Sequence, residues 1–226
     1  MPDATPKYST IIFDLDGTIA NTLPLIYRAF NAALGPVYGR ELPPEEIRAM
    51  FGPPDNHIIR DTVPRDAADA AYARYVTVYQ DEHDDHVTLF EGLKHLLEDA
   101  TAQGITLAVV TGKSRITAIF TLEQLGVAPC FEIILAGDDV ARQKPDPEAL
   151  FAVFAQLGRQ PDRTAVIVGD SAADVLAGRA AGIDTIGVLW GVPDHPDLLA
   201  AGPDVLCENV DQLRSALGLD RKDVTG

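Results

Sequence analysis

Along the chain, short apolar and β-branched runs alternate with longer segments whose apolar residues recur every three or four positions. Thr10-Ile11-Ile12-Phe13 is the first such run; Ile105 to Thr111, Glu132 to Ala136, Thr164 to Gly169, Thr185 to Leu189 and Asp204 to Cys207 follow. They are short and β-rich, which predicts buried strands rather than helices. Between them, Leu93, Leu96 and Leu97 form one helical stripe, Ile116, Ile119, Phe120 and Leu122 a second, and Leu150, Phe151, Phe154 and Leu157 a third. The alternation predicts an α/β fold, a doubly wound parallel sheet with helices on both faces. In such sheets, ligands sit outside the carboxyl ends of the strands.

One stretch departs from the alternation. From about residue 20 to residue 88 no strand is readable, whereas Leu23, Ile26, Tyr27, Phe30 and Leu34 hold helical spacing. Pro43-Pro44 before Glu45-Glu46 reads as a helix start, Gly52-Pro53-Pro54 as a break and Ala67 to Tyr79 as another helix. An inserted α-helical domain over 20–87 is expected, with the sheet built from 1–19 and 88–226.

The 226 residues, 46% hydrophobic and 23% charged, describe an ordinary globular protein with a sizeable core. A formal net charge of −16 repels nucleic-acid phosphates and anionic lipid surfaces, so neither is expected as a partner. Cys130 and Cys207 stand far apart and are expected as buried thiols. Met1 to Pro6 lack a basic segment followed by an apolar one, and no apolar run reaches membrane-spanning length; a cytoplasmic location is expected.

Against so acidic a background, the polar residues that end the strands carry the chemistry. Asp14 and Asp16 end the first strand, and Gly17 permits the turn that follows. Two close carboxylates need compensation, which a hard cation such as Mg²⁺ supplies; one could then serve as nucleophile and the other as general acid and base. Asp and Gly also suit a plain surface turn. Gly169-Asp170-Ser171-Ala172-Ala173-Asp174 ends another strand, with carboxylates one helical turn apart if the helix has begun by Asp170; Asp170 is a candidate metal ligand, and Asp174 a ligand or an orienting group. A helix cap with acidic residues at its dipole would read the same way.

Lys144, ahead of Pro145 and Pro147, could neutralise a phosphoryl group or stand in solvent. Thr111 could bind a phosphoryl oxygen together with the N–H of Gly112, or cap a helix. Gly112-Lys113-Ser114 is not a nucleotide-binding P-loop, because Leu107 stands where that motif needs glycine. The acidic and histidine run Asp81 to His86 reads as a solvated hinge.

Taken in order, Phe13-Asp14-Leu15-Asp16-Gly17-Thr18, Thr111, Lys144 and Gly169 to Asp174, extended by Gly178 and Gly182, resemble the four motifs of the haloacid dehalogenase superfamily over almost the whole chain. The resemblance implies a Rossmann-like core with a helical cap inserted after the first motif. It further implies Asp14 as nucleophile, Asp16 as general acid and base, and Thr111 and Lys144 as phosphate ligands. Asp14, the Asp16 carbonyl and Asp170 are the implied magnesium ligands, with Asp174 beside them.

Asp16 points to phosphatase rather than dehalogenase chemistry, and the absence of lysine between Lys7 and Lys94 removes the Schiff-base route of the phosphonate-cleaving members. Thr111-Gly112-Lys113 is similar to the T-x-K of phosphoglycolate-type phosphatases, with glycine where asparagine is common. The expected substrate is a small phosphorylated metabolite: phosphoglycolate-like, a sugar phosphate, a nucleotide or pyrophosphate. A sugar-phosphate mutase is the alternative, with Arg28, Arg40, Arg48, Arg60, Arg65 and Arg74 as possible clamps; a phospho-accepting signalling domain and a silent phosphate-binding protein are remoter ones. Asn21, Arg28, Phe51 and Gly52-Pro53-Pro54 are candidate substrate contacts.

Overall fold

The computed structural model describes residues 6–191 and 195–219; the N-terminal run in which no leader was read lies outside them through residue 5. Strand β1 (Thr10–Phe13) is fully buried and leads to β2 (Ala20–Asn21). Five helices follow: α1 (Leu23–Tyr38), α2 (Pro44–Arg48), α3 (Asp55–Thr62), α4 (Ala68–Asp81) and α5 (His83–His86). The chain then returns through β3 (Thr88–Leu89), α6 (Leu93–Ala102), β4 (Thr106–Val110), α7 (Arg115–Gln124) and β5 (Ile133–Leu135). It closes with α8 (Glu148–Gln156), β6 (Ala165–Gly169), α9 (Ala172–Ala181), β7 (Asp184–Val188), α10 (Pro196–Ala201), β8 (Val205–Cys207) and α11 (Val210–Leu217).

Six strands form one parallel sheet in the order β5-β4-β1-β6-β7-β8. The chain starts at its centre, runs outward through β4 and β5, then crosses to β6, so the order reverses around β1. A crevice must open there, beyond the end of the strand that carries Asp14. Successive β1 side chains point to opposite faces. Ile11 and Phe13 join the cluster that includes Leu96 and Phe30, while Ile12 joins Leu150, Phe154 and Ile167 on the other side.

The helical insertion leaves and rejoins the sheet through an antiparallel ribbon, Ala20 opposite Leu89 and Asn21 opposite Thr88. These two-residue strands correct the strand-free reading of the region; a ribbon this short has no period to read. Helix α1 places Leu25, Ile26, Ala29, Phe30, Ala33 and Leu34 in the interior, much as its spacing predicts, and packs on α4.

Other sequence expectations need correction. On α7, Ile116 is exposed, and the buried face is made by Thr117, Ala118, Thr121 and Leu122. Phe151 is likewise exposed on α8. His83, in the run read as solvated, is buried edge-on against Phe120. Cys207 is buried, but Cys130 is only half-buried. Among the described residues, no helix is long and apolar enough to cross a membrane.

Candidate active site

The carboxyl ends of β1, β4 and β6 converge on a cavity of about 720 Å³. Asp14 follows β1, with its N–H held by Val168 O at 2.9 Å and its Oδ1 accepting from the Leu15 N–H at 2.7 Å. Beyond β6, Asp170 lies outside the helix: α9 starts at Ala172 with Ser171 as its N-cap, so the two acidic residues there do not share a helical turn. Asp174 is instead the third residue of α9. One of its oxygens accepts Ser171 Oγ at 2.6 Å; the other accepts Lys144 Nζ at 2.6 Å.

Asp14, Asp170 and Asp174 each bring a carboxylate oxygen within 4.8 Å of the others. Lys144 is the cation among them: Nζ lies 3.1 Å from Asp14 Oδ1 and donates to Val110 O at 2.9 Å. Burial raises the pKa of Asp14, and the charges of Asp174 and Asp16 add to it against Lys144. Burial, followed by Asp14 and Asp174, raises Asp170 well above the usual carboxylate range. Burial works against the Lys144 charge, but Asp14 and Asp174 outweigh it and hold the ammonium protonated. One lysine thus leaves three carboxylates, Asp174 buried and Asp14 and Asp170 partly so, short of positive charge. A donor set made only of carboxylate oxygens, in deficit of cations, fits Mg²⁺.

Asp16 stands apart from this cluster. Its carboxylate accepts Thr22 Oγ1 at 2.6 Å and Lys113 Nζ at 3.3 Å. Of these two partners, Lys113 was visible in the sequence only as part of a T-x-K run, and Thr22 carried no signal at all. Thr111 lines the cavity, and its hydroxyl accepts the Lys113 N–H at 3.2 Å; the helix cap of α7 is Ser114, not Thr111.

Glycines let the loops close. Gly17 has φ +78°, and a Cβ there would stand 2.3 Å from Asp170 Oδ2. Gly17→Ala is expected to cost about 2–3 kcal/mol, combining left-handed strain with overpacking, and to lower Tm by roughly 4–12 °C. Thermal unfolding checks it; an unchanged Tm would mean that the loop has slack the geometry does not show.

The insertion covers the cavity with Leu23, Ile26, Phe30, Phe51, Ile58 and Tyr75. Arg48, Gly52, Pro53 and Asp55 also line it. Arg48 donates to the Tyr27 hydroxyl at 3.2 Å. Three expected substrate contacts do not line the cavity: Arg28 is paired with Glu82 on the surface, Asn21 sits in the ribbon, and Pro54 stands at the N-cap of α3. A half-exposed arginine has a carboxylate nearer to hand than the cavity, which α1 periodicity could not reveal.

The sequence profile of the haloacid dehalogenase-like hydrolases matches residues 11–188. A pyrophosphatase PpaX of Bacillus pumilus is 35% identical over 214 residues, covering 94% of this chain and 97% of the relative. A phosphoglycolate phosphatase of Agrobacterium fabrum is 32% identical, covering 94% and 93% respectively. A crystal structure described as a predicted phosphoglycolate phosphatase from Haemophilus somnus superposes with a TM-score of 0.81 at 25% identity, covering 93% of this chain and 98% of that one. With the motifs seated at the strand ends of the same fold, the chain belongs to the haloacid dehalogenase-like hydrolase family, among relatives named as phosphatases.

Proposed function

We propose that the protein is a Mg²⁺-dependent phosphatase that hydrolyses a small phosphorylated metabolite through an aspartyl-phosphate on Asp14. The observation that carries this reading is the division of the carboxylates. Asp14 lies in the cation-deficient cluster, while Asp16, two residues on, is tethered outside it by Thr22 and Lys113. Asp14 Oδ attacks phosphorus in line with the leaving oxygen, the P–O bond to the leaving group breaks, and Asp16 gives that oxygen a proton. Asp16 then takes a proton from water, whose oxygen attacks the phosphoryl group, so that inorganic phosphate leaves and the Asp14 carboxylate returns.

Thr111, the Gly112 N–H and Lys144 hold the phosphoryl oxygens. Asp14, the Asp16 carbonyl and Asp170 would hold the metal; Asp174, with both oxygens already hydrogen-bonded, orients Lys144 and the α9 turn instead. When bound, Mg²⁺ supplies positive charge for the phosphoryl oxygens. The inserted helices, residues 20–87, act as a cap that excludes water from the cavity.

Arg48 on the cap side favours a substrate with a second anionic group, as phosphoglycolate and pyrophosphate have. The cytoplasm suits a chain whose two cysteines are unpaired. The test is phosphate release from phosphoglycolate, pyrophosphate, sugar phosphates and nucleoside monophosphates, with and without Mg²⁺. Release that needs the metal and prefers a doubly anionic member is expected; release indifferent to a chelator would overturn the metal assignment.

A further inference from the structure

Cap helix α4 and core helix α7 meet along a seam made of hydroxyl groups. Tyr72 OH lies 3.2 Å from Ser114 Oγ and Tyr79 OH 2.8 Å from Thr121 Oγ1, each pair 42 residues apart in sequence. Between them, Tyr75 OH at 3.3 Å and Thr117 Oγ1 at 2.9 Å both donate to Oδ2 of Asp55, the first residue of α3. The partners recur at i, i+3, i+7 on both helices, so one face of each is matched to the other. Tyr75, Tyr79, Ser114, Thr117 and Thr121 are all buried.

Such a seam differs from an apolar one in how it opens. Every hydroxyl that loses its partner on separation can take water, while the 42-residue offset fixes a single docked register. The same seam reaches the catalytic loop. Ser114 stands at the N-cap of α7 directly after Lys113, and the Tyr79 ring lies 4.5 Å from Lys113 Nζ, which also lies 3.3 Å from Asp16 Oδ1. Lys113 is itself buried, and its ammonium touches both the Tyr79 ring and the Asp16 carboxylate.

We propose that Tyr79 is a positioning residue borne by the cap: docked along the α4–α7 seam, its ring confines the Lys113 ammonium against Asp16, which keeps that carboxylate out of the metal cluster and set for proton transfer. This rests on the reading of Asp16 as the general acid. The acid is then aligned only when the cap is seated, and a leaving group is protonated only in the closed site.

The test compares kcat/KM for an alkyl phosphate that the wild-type enzyme turns over with that for p-nitrophenyl phosphate, whose leaving group needs little protonation. Tyr79→Leu is expected to lower the first at least about tenfold and the second by less than about threefold, a part of the 10²–10⁴-fold that a general acid supplies. Tyr79→Phe, which keeps the ring, should recover most of the loss. Lys113→Met should give the same selective loss, and it carries the test if Tyr79→Leu does not fold. Equal losses on both substrates, no loss, or a phenylalanine variant as impaired as leucine would overturn the inference. Asp16→Asn separates the two readings. If it too loses both substrates equally, the acid assignment fails and the positioning role with it; if it is selective and Tyr79→Leu is not, only the positioning role fails.

Discussion

Asp14→Asn is expected to lower kcat by roughly 10³-fold or more while leaving the fold in place. The amide has the carboxylate's shape but no nucleophilic oxygen, so phosphoryl transfer loses its acceptor. Lys144 is not abandoned by the change, because Asp174 at 2.6 Å and Val110 O at 2.9 Å still hold it. Burial already pushes Asp14 toward its neutral form, so a neutral amide is tolerated and stability should stay within about 1 kcal/mol of wild type. Phosphate release and thermal unfolding on the same preparation check both halves. Normal turnover in a folded variant would remove Asp14 from the mechanism. A variant that fails to fold would show that the carboxylate is structural.

That the sequence pointed to Asp14, Asp16, Thr111, Lys144, Asp170 and Asp174 has a physical reason. Their chemistry requires particular residue types at the ends of buried strands, and both the types and the strands leave local traces: an apolar β-rich run, then glycine and carboxylates. The parallel sheet was legible for the same reason. Partnerships set by tertiary contact were not. The buried face of α7 could not be read, because Thr117 and Thr121 become interior residues only through Asp55 and Tyr79, far away in sequence. By local pattern, Ile116 looked the better core residue.

The same limit explains the cap residues. Whether an arginine faces the cavity depends on which carboxylate competes for it, and Arg28 finds Glu82 while Arg48 donates to a phenol. Lys113 is legible in the sequence only as the end of a T-x-K run, and its role becomes informative once its buried ammonium is seen against both Asp16 and a cap tyrosine.

Lys144→Met should both weaken the fold and stop the chemistry, and Mg²⁺ should repair only the first. The side chain is 8% exposed, and its ammonium is shared by Asp14 and Asp174. Removing it leaves buried carboxylates without their cation, at a cost of about 3 kcal/mol, a fall in Tm of roughly 6–12 °C for a chain of this size. A metal held by Asp14 and Asp170 in the folded state replaces part of that charge, adding about 2.7 kcal/mol at a hundredfold excess over its Kd. The Tm gained on adding Mg²⁺ should therefore be larger in the variant than in wild type. Turnover should stay at least about 10²-fold down even with metal, because no group then meets the phosphoryl charge where Lys144 stood. Lys144→Arg should restore much of the stability and little of the rate, since a planar fork cannot reproduce one ammonium bridging Asp14, Asp174 and Val110 O. Melting curves with and without Mg²⁺, set beside kcat, decide it: loss of stability with full activity would leave Lys144 a purely structural counter-ion, and unchanged stability would mean that the acidic cluster does not depend on it.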